Sequence, residues 1–251
     1  MNQPHSSSIA RIGLERTRPR SLLVLAVGAI CGLLTTFAPP AQAGSAEDEL
    51  GNWLIWNGTV TFSDRWSMFT EAQLRLWEVA SNPNEVFARV AGQYHTSKNS
   101  LIALGYMHTV VDPYEEAEPD TTENRIYQQF TAKHRLQRPV IEHRFRTEQR
   151  WIETNDTTDF RNRFRYRLQM TVPMSNPTMQ AKTHFLNFYD EVFLNYGNRS
   201  ETFDQNRLYG AYGYQFTKNA NLQLGMLWQR RSSSRDFYRL QIFYTHNFDL
   251  R

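Results

Sequence analysis

Residues 160–172 read FRNRFRYRLQMTV, and this stretch decides the fold. Every second residue from Phe160 to Val172 is apolar, except for Asn162. The intervening positions are all polar: Arg161, Arg163, Arg165, Arg167, Gln169 and Thr171. Successive side chains of a β-strand point to opposite faces, so the pattern predicts a strand with one apolar and one cationic face. A helix would spread the four arginines around its whole circumference.

The same alternation recurs along the chain and predicts an all-β protein. It is found near residues 53–62, 66–79, 84–95, 101–111, 125–136, 140–152, 160–172, 183–195, 204–216, 221–230 and 237–248. Segments of this length suit tilted membrane strands of about 9–11 residues whose ends project from the bilayer. We therefore expect a single up-and-down antiparallel transmembrane β-barrel. Because bacterial single-chain barrels have even strand numbers, a short first strand within 46–51 would give twelve strands, and exclusion of one segment would give ten.

A soluble β-sandwich is the competing interpretation, because its strands also have one apolar face. Two features favour the barrel. The polar faces carry repeated arginines rather than a mixed, lysine-rich surface. Aromatic residues also cluster near the strand ends, as in the girdles at membrane interfaces: Trp53, Trp56, Trp66, Trp77, Tyr106, Trp151, Tyr214, Phe216, Trp228, Tyr244 and Phe248.

The first 43 residues are typical of an export signal that is removed from the mature protein. Residues 11–20 are rich in arginine, residues 21–38 are almost wholly apolar, and Ala41-Gln42-Ala43 forms an A-x-A cleavage pattern. An uncleaved anchor is the alternative, because 18 apolar residues approach the length that spans a bilayer. The predicted organisation is thus a signal peptide over 1–43 and a barrel over 44–251.

The basic balance of the whole chain gives no reason to expect nucleic-acid binding. The formal charge of +3 comes from residues 1–43, which hold four arginines and one glutamate. Residues 44–251 then contain 24 basic and 24 acidic residues, so no net field remains to attract phosphates. The one cysteine, Cys31, falls in the signal, which suits export to an oxidising compartment.

Several motifs together resemble a known family of bacterial proteins. They are EHRFR at 142–146 with EQR at 148–150, RFRYRL at 163–168, DEVFLN at 190–195, FDQNRLY at 203–209 and GYQF at 213–216. The chain resembles the outer-membrane barrels grouped as domain-of-unknown-function family 2490. The resemblance implies a barrel in the outer membrane of a bacterium. For such a barrel of a Gram-negative bacterium we expect a monomer that contacts outer-membrane lipid and the barrel-assembly machinery. The resemblance implies no activity.

Motifs that would carry catalysis or hold a cofactor or metal are absent from the sequence. There is no GxxxxGK[ST], GxGxxG, HExxH or GxSxG pattern. Barrel enzymes that act on envelope lipid or peptide remain an alternative, and His184 with Asp190 is the nearest hint. These two residues lie six positions apart, about 20 Å along a strand, so they cannot form a dyad. We expect no enzyme, no cofactor and no metal.

Rows of arginine are the most informative polar feature. Seven arginines on two neighbouring strands would each cost about 2–4 kcal/mol at the membrane midplane if they faced lipid, so they must face inward. Inside, they need counter-charges, for which Glu71 and Glu85 are also available. The candidate lumen network comprises Glu142, Arg144, Arg146, Glu148, Arg150, Arg161, Arg163, Arg165, Arg167, Glu191 and Arg207. We expect it to fill a narrow lumen as a structural element; a narrow anion-selective channel is the alternative.

The cleavage pattern gives a first prediction. We expect the mature chain to begin at Gly44 and to fractionate with the outer membrane, because an A-x-A site precedes strands of membrane length. N-terminal sequencing of the membrane-extracted protein measures this. A chain that starts at Met1, or that is released as soluble periplasmic material, would contradict it.

Overall fold

The computed structural model describes residues 49–114, 118–197 and 201–251, so the signal peptide expected over 1–43 lies outside the described residues. Within them the fold is all-β, as predicted. No described helix is long and apolar enough to span a membrane. The strands are β1 (Gly51–Thr61), β2 (Trp66–Glu78), β3 (Ser81–Ser97), β4 (Ser100–Val111), β5 (Thr121–Arg135), β6 (Val140–Thr154), β7 (Thr157–Pro173), β8 (Thr183–Tyr196), β9 (Phe203–Gln215), β10 (Ala220–Arg231), β11 (Asp236–His246) and β12 (Phe248–Asp249).

Each strand from β1 to β11 pairs with its neighbours in that series, and β11 also pairs with β1, which closes the sheet into a barrel. All pairings from β1 through β11 in chain order are antiparallel. The closing pair is parallel: Gly51 lies opposite Arg239 and Asn57 opposite Thr245. An odd number of strands requires this, because the first and last strands then run in the same direction.

The short twelfth strand continues β11 along the same edge of β1. Val60 pairs with Phe248 in the register that joins Asn57 to Thr245. Between the two strands, the Asn247 side chain accepts a 3.0 Å hydrogen bond from the Thr59 backbone N–H. The described wall therefore has eleven strand positions, which correspond to the eleven predicted segments. The sheet has twelve strands, as predicted, but the twelfth is at the carboxyl end and only eleven positions form the wall; residues 49 and 50 are not in a strand.

Side chains alternate between a polar interior and an apolar exterior. Large apolar residues are exposed on the outside of every strand from β2 to β11. Most of the aromatic residues assigned to girdles also lie outside, such as Trp66, Tyr106 and Tyr244. Trp53 and Trp77 are exceptions, because both are buried and line the lumen. Strand-end position alone did not reveal which way an aromatic side chain points.

The two rims of the barrel carry connections of similar length. The N-terminal rim, where β1 begins, holds residues 112–120 between β4 and β5; the C-terminal rim, where β11 ends, holds residues 174–182 between β7 and β8. Loop length therefore does not distinguish the rims. β5 begins at Thr121, four residues before the predicted segment 125–136, so the connection from β4 is shorter than the gap between the predicted segments.

The last residues are held at the C-terminal rim. Leu250 donates its backbone N–H to the Thr61 carbonyl at 2.9 Å, and Arg251 contacts the Asp64 carboxylate at 2.7 Å. Hydrogen bonding to the Asp249 carboxylate raises the pKa of Arg251. The three residues after Phe248 are therefore tied to the turn between β1 and β2.

The parallel closure generates a second prediction. Leu54 and Ile242 face each other across the closing seam. The double variant Leu54→Cys with Ile242→Cys should form an oxidative crosslink, visible as a shift in gel mobility. The control is Leu54→Cys with Leu224→Cys, because Leu224 lies one strand further away, beyond Ile242, which places the two positions about 10 Å apart. An uncrosslinked Leu54–Ile242 pair, or equal crosslinking of the control, would contradict the closure.

Candidate functional site in the barrel lumen

The lumen contains a cavity of about 1120 Å³ that reaches residues of both rims. Thr59 and Asn247 line it at the C-terminal rim, and Glu118 and Arg235 line it at the N-terminal rim. Its wall is predominantly polar. The arginine network therefore narrows the lumen without filling it, which differs from the sequence-based expectation of a filled interior.

The arginine rows of β6 and β7 face each other directly. Arg146 lies opposite Arg165, and Arg144 lies opposite Arg167. Like charges in these positions repel, so the pairing requires carboxylates close to both strands. The connection between the strands is even shorter than predicted, because only Asn155 and Asp156 separate them, which fixes the two rows in register.

Glu148 supplies the central negative charge. Its side chain is 0 % exposed and lies 2.7 Å from both Arg163 and Arg165. Arg125 and Arg146 approach the same carboxylate at 3.4 and 3.7 Å. One carboxylate thus sits among four guanidinium groups from β5, β6 and β7. Removing one member of such a buried set leaves the other charges uncompensated, which destabilises a protein strongly.

Two further predicted carboxylates complete this side of the lumen. Glu191 on β8 accepts from Arg144 at 2.6 Å and from Arg165 at 2.9 Å. Glu142 contacts Arg167 at 2.7 Å. Outside this group, Glu71 pairs with Arg89 at 2.6 Å, and Glu85 pairs with Arg75. The structure thus places the predicted network on the lumen face, joined by shared carboxylates.

Two predicted members are arranged differently from the rest. Arg161 lies close to the N-terminal rim, is 41 % exposed and pairs with Asp159 at 2.7 Å. Arg207 lines the lumen on β9, yet no described carboxylate lies within ion-pair distance of it. Its partners are the rings of Trp53 and Phe193, at 5.0 and 4.8 Å.

Sequence reasoning did not include Glu123 and Arg125 in the network, and it began the corresponding segment only at residue 125. Glu123 contacts Arg125 at 2.6 Å and Arg150 at 2.8 Å. The signal was present in the sequence: Glu123, Arg125 and Tyr127 continue the period-two alternation toward the amino end of β5. The run of acidic residues and prolines before them concealed the beginning of the strand.

Aromatic rings line the lumen between the charged side chains. The Tyr127 ring lies over Gly105 on the neighbouring strand, where an added Cβ would be 2.3 Å from the tyrosine Cζ. Arg146 stacks on the other face of this region, 4.2 Å from the Tyr127 centroid. The glycine is required because any larger residue would displace the ring. Cation–π contacts of this kind are worth about 2 kcal/mol where they are desolvated.

The charges are distributed unevenly around the lumen. Among the described residues, fifteen arginine and lysine side chains line the cavity. Seven aspartate and glutamate side chains line it, and the enclosed Glu148 brings the carboxylates to eight. The cationic side chains therefore exceed the carboxylates by seven. Carboxylates neutralise the arginines of β5 to β8. Arg207, Arg231 and Arg239 on β9 to β11 instead rest on aromatic rings, and no described carboxylate pairs with them.

The residues considered for catalysis do not converge. His184 lies on the outer face, where its Nδ1 hydrogen bonds the Tyr212 hydroxyl. Asp190 is also on the outer face and accepts a 2.7 Å hydrogen bond from Asn206, whereas Glu191 points into the lumen. Within the described ranges, no group of three or more His, Cys, Asp or Glu side chains could hold a metal ion.

These features define a class: a closed β-barrel with an apolar exterior and an arginine-rich interior. Residues 50–239 match the family described as a protein of unknown function, DUF2490, and the chain belongs to that family. The resemblance inferred from the sequence motifs is thereby confirmed. A comparison with curated proteins finds no match, and a comparison with solved structures finds none either.

The shared carboxylate yields a third prediction. Glu148→Gln should destabilise the barrel by roughly 3–5 kcal/mol, because four guanidinium groups lose the one charge that they share. The matched control is Glu142→Gln, which makes the same change at a 15 % exposed carboxylate near the C-terminal rim. The stability of each variant is measured as the temperature of heating at which the folded band on a gel is replaced by the unfolded band. Equal stability of the two variants would show that the network does not depend on Glu148.

Proposed function

We propose that this chain is an outer-membrane β-barrel of a Gram-negative bacterium and that its lumen is a narrow, anion-selective passage. The excess of seven cationic side chains in the lumen carries the proposal. A mature chain of formally neutral composition concentrates positive charge in its interior, where low-dielectric walls strengthen the field on an entering ion. Rings of Arg and Lys select anions in pores of this kind.

The exterior supports the membrane location. Leu104, Leu224 and Leu208 are each more than half exposed on the outer face, an arrangement that costs free energy in water and stabilises a wall in contact with lipid. Aromatic side chains frame this band near both rims. Trp151 packs on Phe160 toward the N-terminal rim, and Trp66 packs on Tyr94 toward the C-terminal rim. Such pairs suit the two levels of lipid headgroups.

The dimensions support a restricted passage rather than a wide pore. Eleven strands enclose much less space than the sixteen strands of porins, and the network of β5 to β8 occupies part of that space. Small anions would cross along the side formed by β9, β10, β11, β1 and β2, where no carboxylate neutralises Arg207, Arg231 or Arg239. The network on the other side holds the wall in shape.

The remaining expectations form part of the same proposal. Residues 1–43 serve as a cleaved signal, and the mature barrel is a monomer that contacts outer-membrane lipid. The barrel-assembly machinery inserts it, and nucleic acid is not a partner. The proposal assigns no catalytic role and no cofactor.

Ion selectivity provides the fourth prediction. In a planar bilayer under a salt gradient, the purified barrel should show a small conductance whose reversal potential has the sign of anion preference. Arg231→Gln should reduce this preference, because Arg231 is exposed at the N-terminal rim and lines the lumen without a described carboxylate partner.

Arg230→Gln is the matched control for that experiment. Arg230 is the neighbouring residue, lies on the outer face and pairs with Asp236 at 2.7 Å. Its replacement should leave the reversal potential unchanged. A cation-selective reversal potential, a large porin-like conductance, or equal effects of the two variants would overturn the proposed selectivity.

A further inference from the structure

One part of the lumen wall holds hydrogen-bond donors that have no acceptor. We call it the Arg207 site; it consists of Trp53 on β1, Arg207 and Tyr209 on β9, and Gln241 on β11, all of which line the cavity. Trp53 lies opposite Gln241 across the closing seam and packs in one cluster with Tyr209. Arg207 is two residues from Tyr209 on the same face of β9 and stacks on Trp53. Trp53 therefore adjoins each of the other three side chains.

The unpartnered atoms of the site are all able to donate. Trp53 Nε1, Arg207 Nε, Tyr209 Oη and Gln241 Nε2 are buried, and none has a hydrogen-bond partner in the described part of the chain. Trp53, Tyr209 and Gln241 are 4 %, 3 % and 1 % exposed. Buried polar groups are nearly always hydrogen-bonded, so four unpaired donors in one place call for an explanation.

A structural role does not account for Arg207. The arginines of β5 to β7 that line the lumen each contact a glutamate or aspartate. Arg239 donates to the backbone carbonyls of Glu49 and Tyr238 at 3.0 Å. Arg207 has neither kind of acceptor. It is half-buried, so its guanidinium also borders the open cavity. Arg231 lies diagonally across from it, because Arg207 pairs with Gln229 and Arg231 pairs with Gln205.

Part of the surroundings of the site is apolar, although Arg75 also lies over the Trp53 ring, 3.9 Å from its centroid. Ile55, Ala211 and Leu227 pack in the same cluster as Trp53 and Tyr209, and Tyr189 and Phe243 pack against it. The rings of Tyr189 and Tyr209 are stacked 4.8 Å apart. A ligand held by the donors would therefore have its other end against aliphatic and aromatic surface. Pockets that combine a few polar groups with such walls are typical binding sites for small molecules.

We propose that the Arg207 site binds the carboxylate of a small organic anion with an aromatic or apolar body. An ionised carboxylate offers about four acceptor positions, which matches the four unpartnered donors. The charge of Arg207 strengthens these hydrogen bonds, and planar guanidinium suits a planar carboxylate. Because the donors are enclosed, a shift of the half-buried Arg207 side chain admits the ligand. The inference rests on the proposed function, since the lumen must admit anions to reach the site.

Calorimetric titration of the purified full barrel in detergent tests this site. The probe is benzoate, and benzamide is the uncharged analogue of the same shape. Benzoate should bind at least about tenfold more tightly than benzamide, because only benzoate carries the charge and acceptors that the donors require. Equal affinity of the two compounds, or no binding of benzoate, would overturn the inference.

The variant Arg207→Gln distinguishes a role of Arg207 in ligand binding from a role in the stability of the barrel. It should weaken benzoate binding at least about tenfold while the heat-modification temperature stays the same or rises, because no carboxylate loses a partner. Arg161→Gln is the control; it removes an arginine of the same lumen that has its own partner, Asp159. It should leave benzoate affinity unchanged. A lower stability of Arg207→Gln, or an equal loss of affinity in the control, would assign Arg207 to the structural network instead.

Trp53→Phe provides a second variant, which keeps an aromatic ring at this position and removes the indole N–H together with the five-membered ring. It should weaken benzoate binding about threefold to tenfold, the usual effect of one lost hydrogen bond. An unchanged affinity would count against the site. Bilayer recordings on the same preparations keep the two proposals distinct: anion selectivity without benzoate binding refutes only this site, and benzoate binding without selectivity refutes only the passage.

Discussion

The pairing of arginine with arginine across β6 and β7 is the constraint on which the rest of the structure depends. Arg146 opposite Arg165 and Arg144 opposite Arg167 can exist only with carboxylates shared between strands. Glu148, Glu191 and Glu142 supply them: Arg144, Arg165 and Arg167 have contacts of 2.6–2.9 Å, and Arg146 lies 3.7 Å from Glu148. A slip of one residue would turn the whole set toward the outer surface, so these charges specify the register of the wall.

Buried arginine side chains have different partners on the two sides of the lumen. On β5 to β8, shared glutamates neutralise the guanidinium groups and form a rigid network. On β9 to β11, aromatic rings cover the guanidinium faces and leave the charge available to solutes. Under the proposed function, the first side holds the barrel together, and the charges of the second side act on anions that enter the lumen.

The strands were predictable from the sequence because period-two alternation is a local property. All eleven segments are present, and the inward direction of the arginines followed from the cost of placing them in lipid. The parallel seam was not predictable, because strand count is a global property that a poorly marked terminus can change. The roles of Trp53 and Glu123 were missed for related reasons: one required the direction of a side chain, and the other lay beside an acidic loop.

Partner assignment within the lumen was the hardest part to anticipate. The sequence identified Arg207 as a lumen residue but could not distinguish it from Arg165, since both alternate with apolar residues on similar strands. The difference depends on contacts across several strands, with Glu191 beside one and Trp53 beside the other.

The odd number of strands also has a mechanical consequence. Glu49 leaves the barrel at one rim and Arg251 at the other, while β1 and β11 lie side by side in the same direction. A force that pulls the two chain ends apart along the barrel axis would slide these neighbouring strands past each other. All the hydrogen bonds between β1 and β11 would then bear the force at the same time, in shear. They would not break one after another. The barrel should consequently resist traction on its ends far better than an even-stranded barrel, whose two ends leave from the same rim and can be peeled apart.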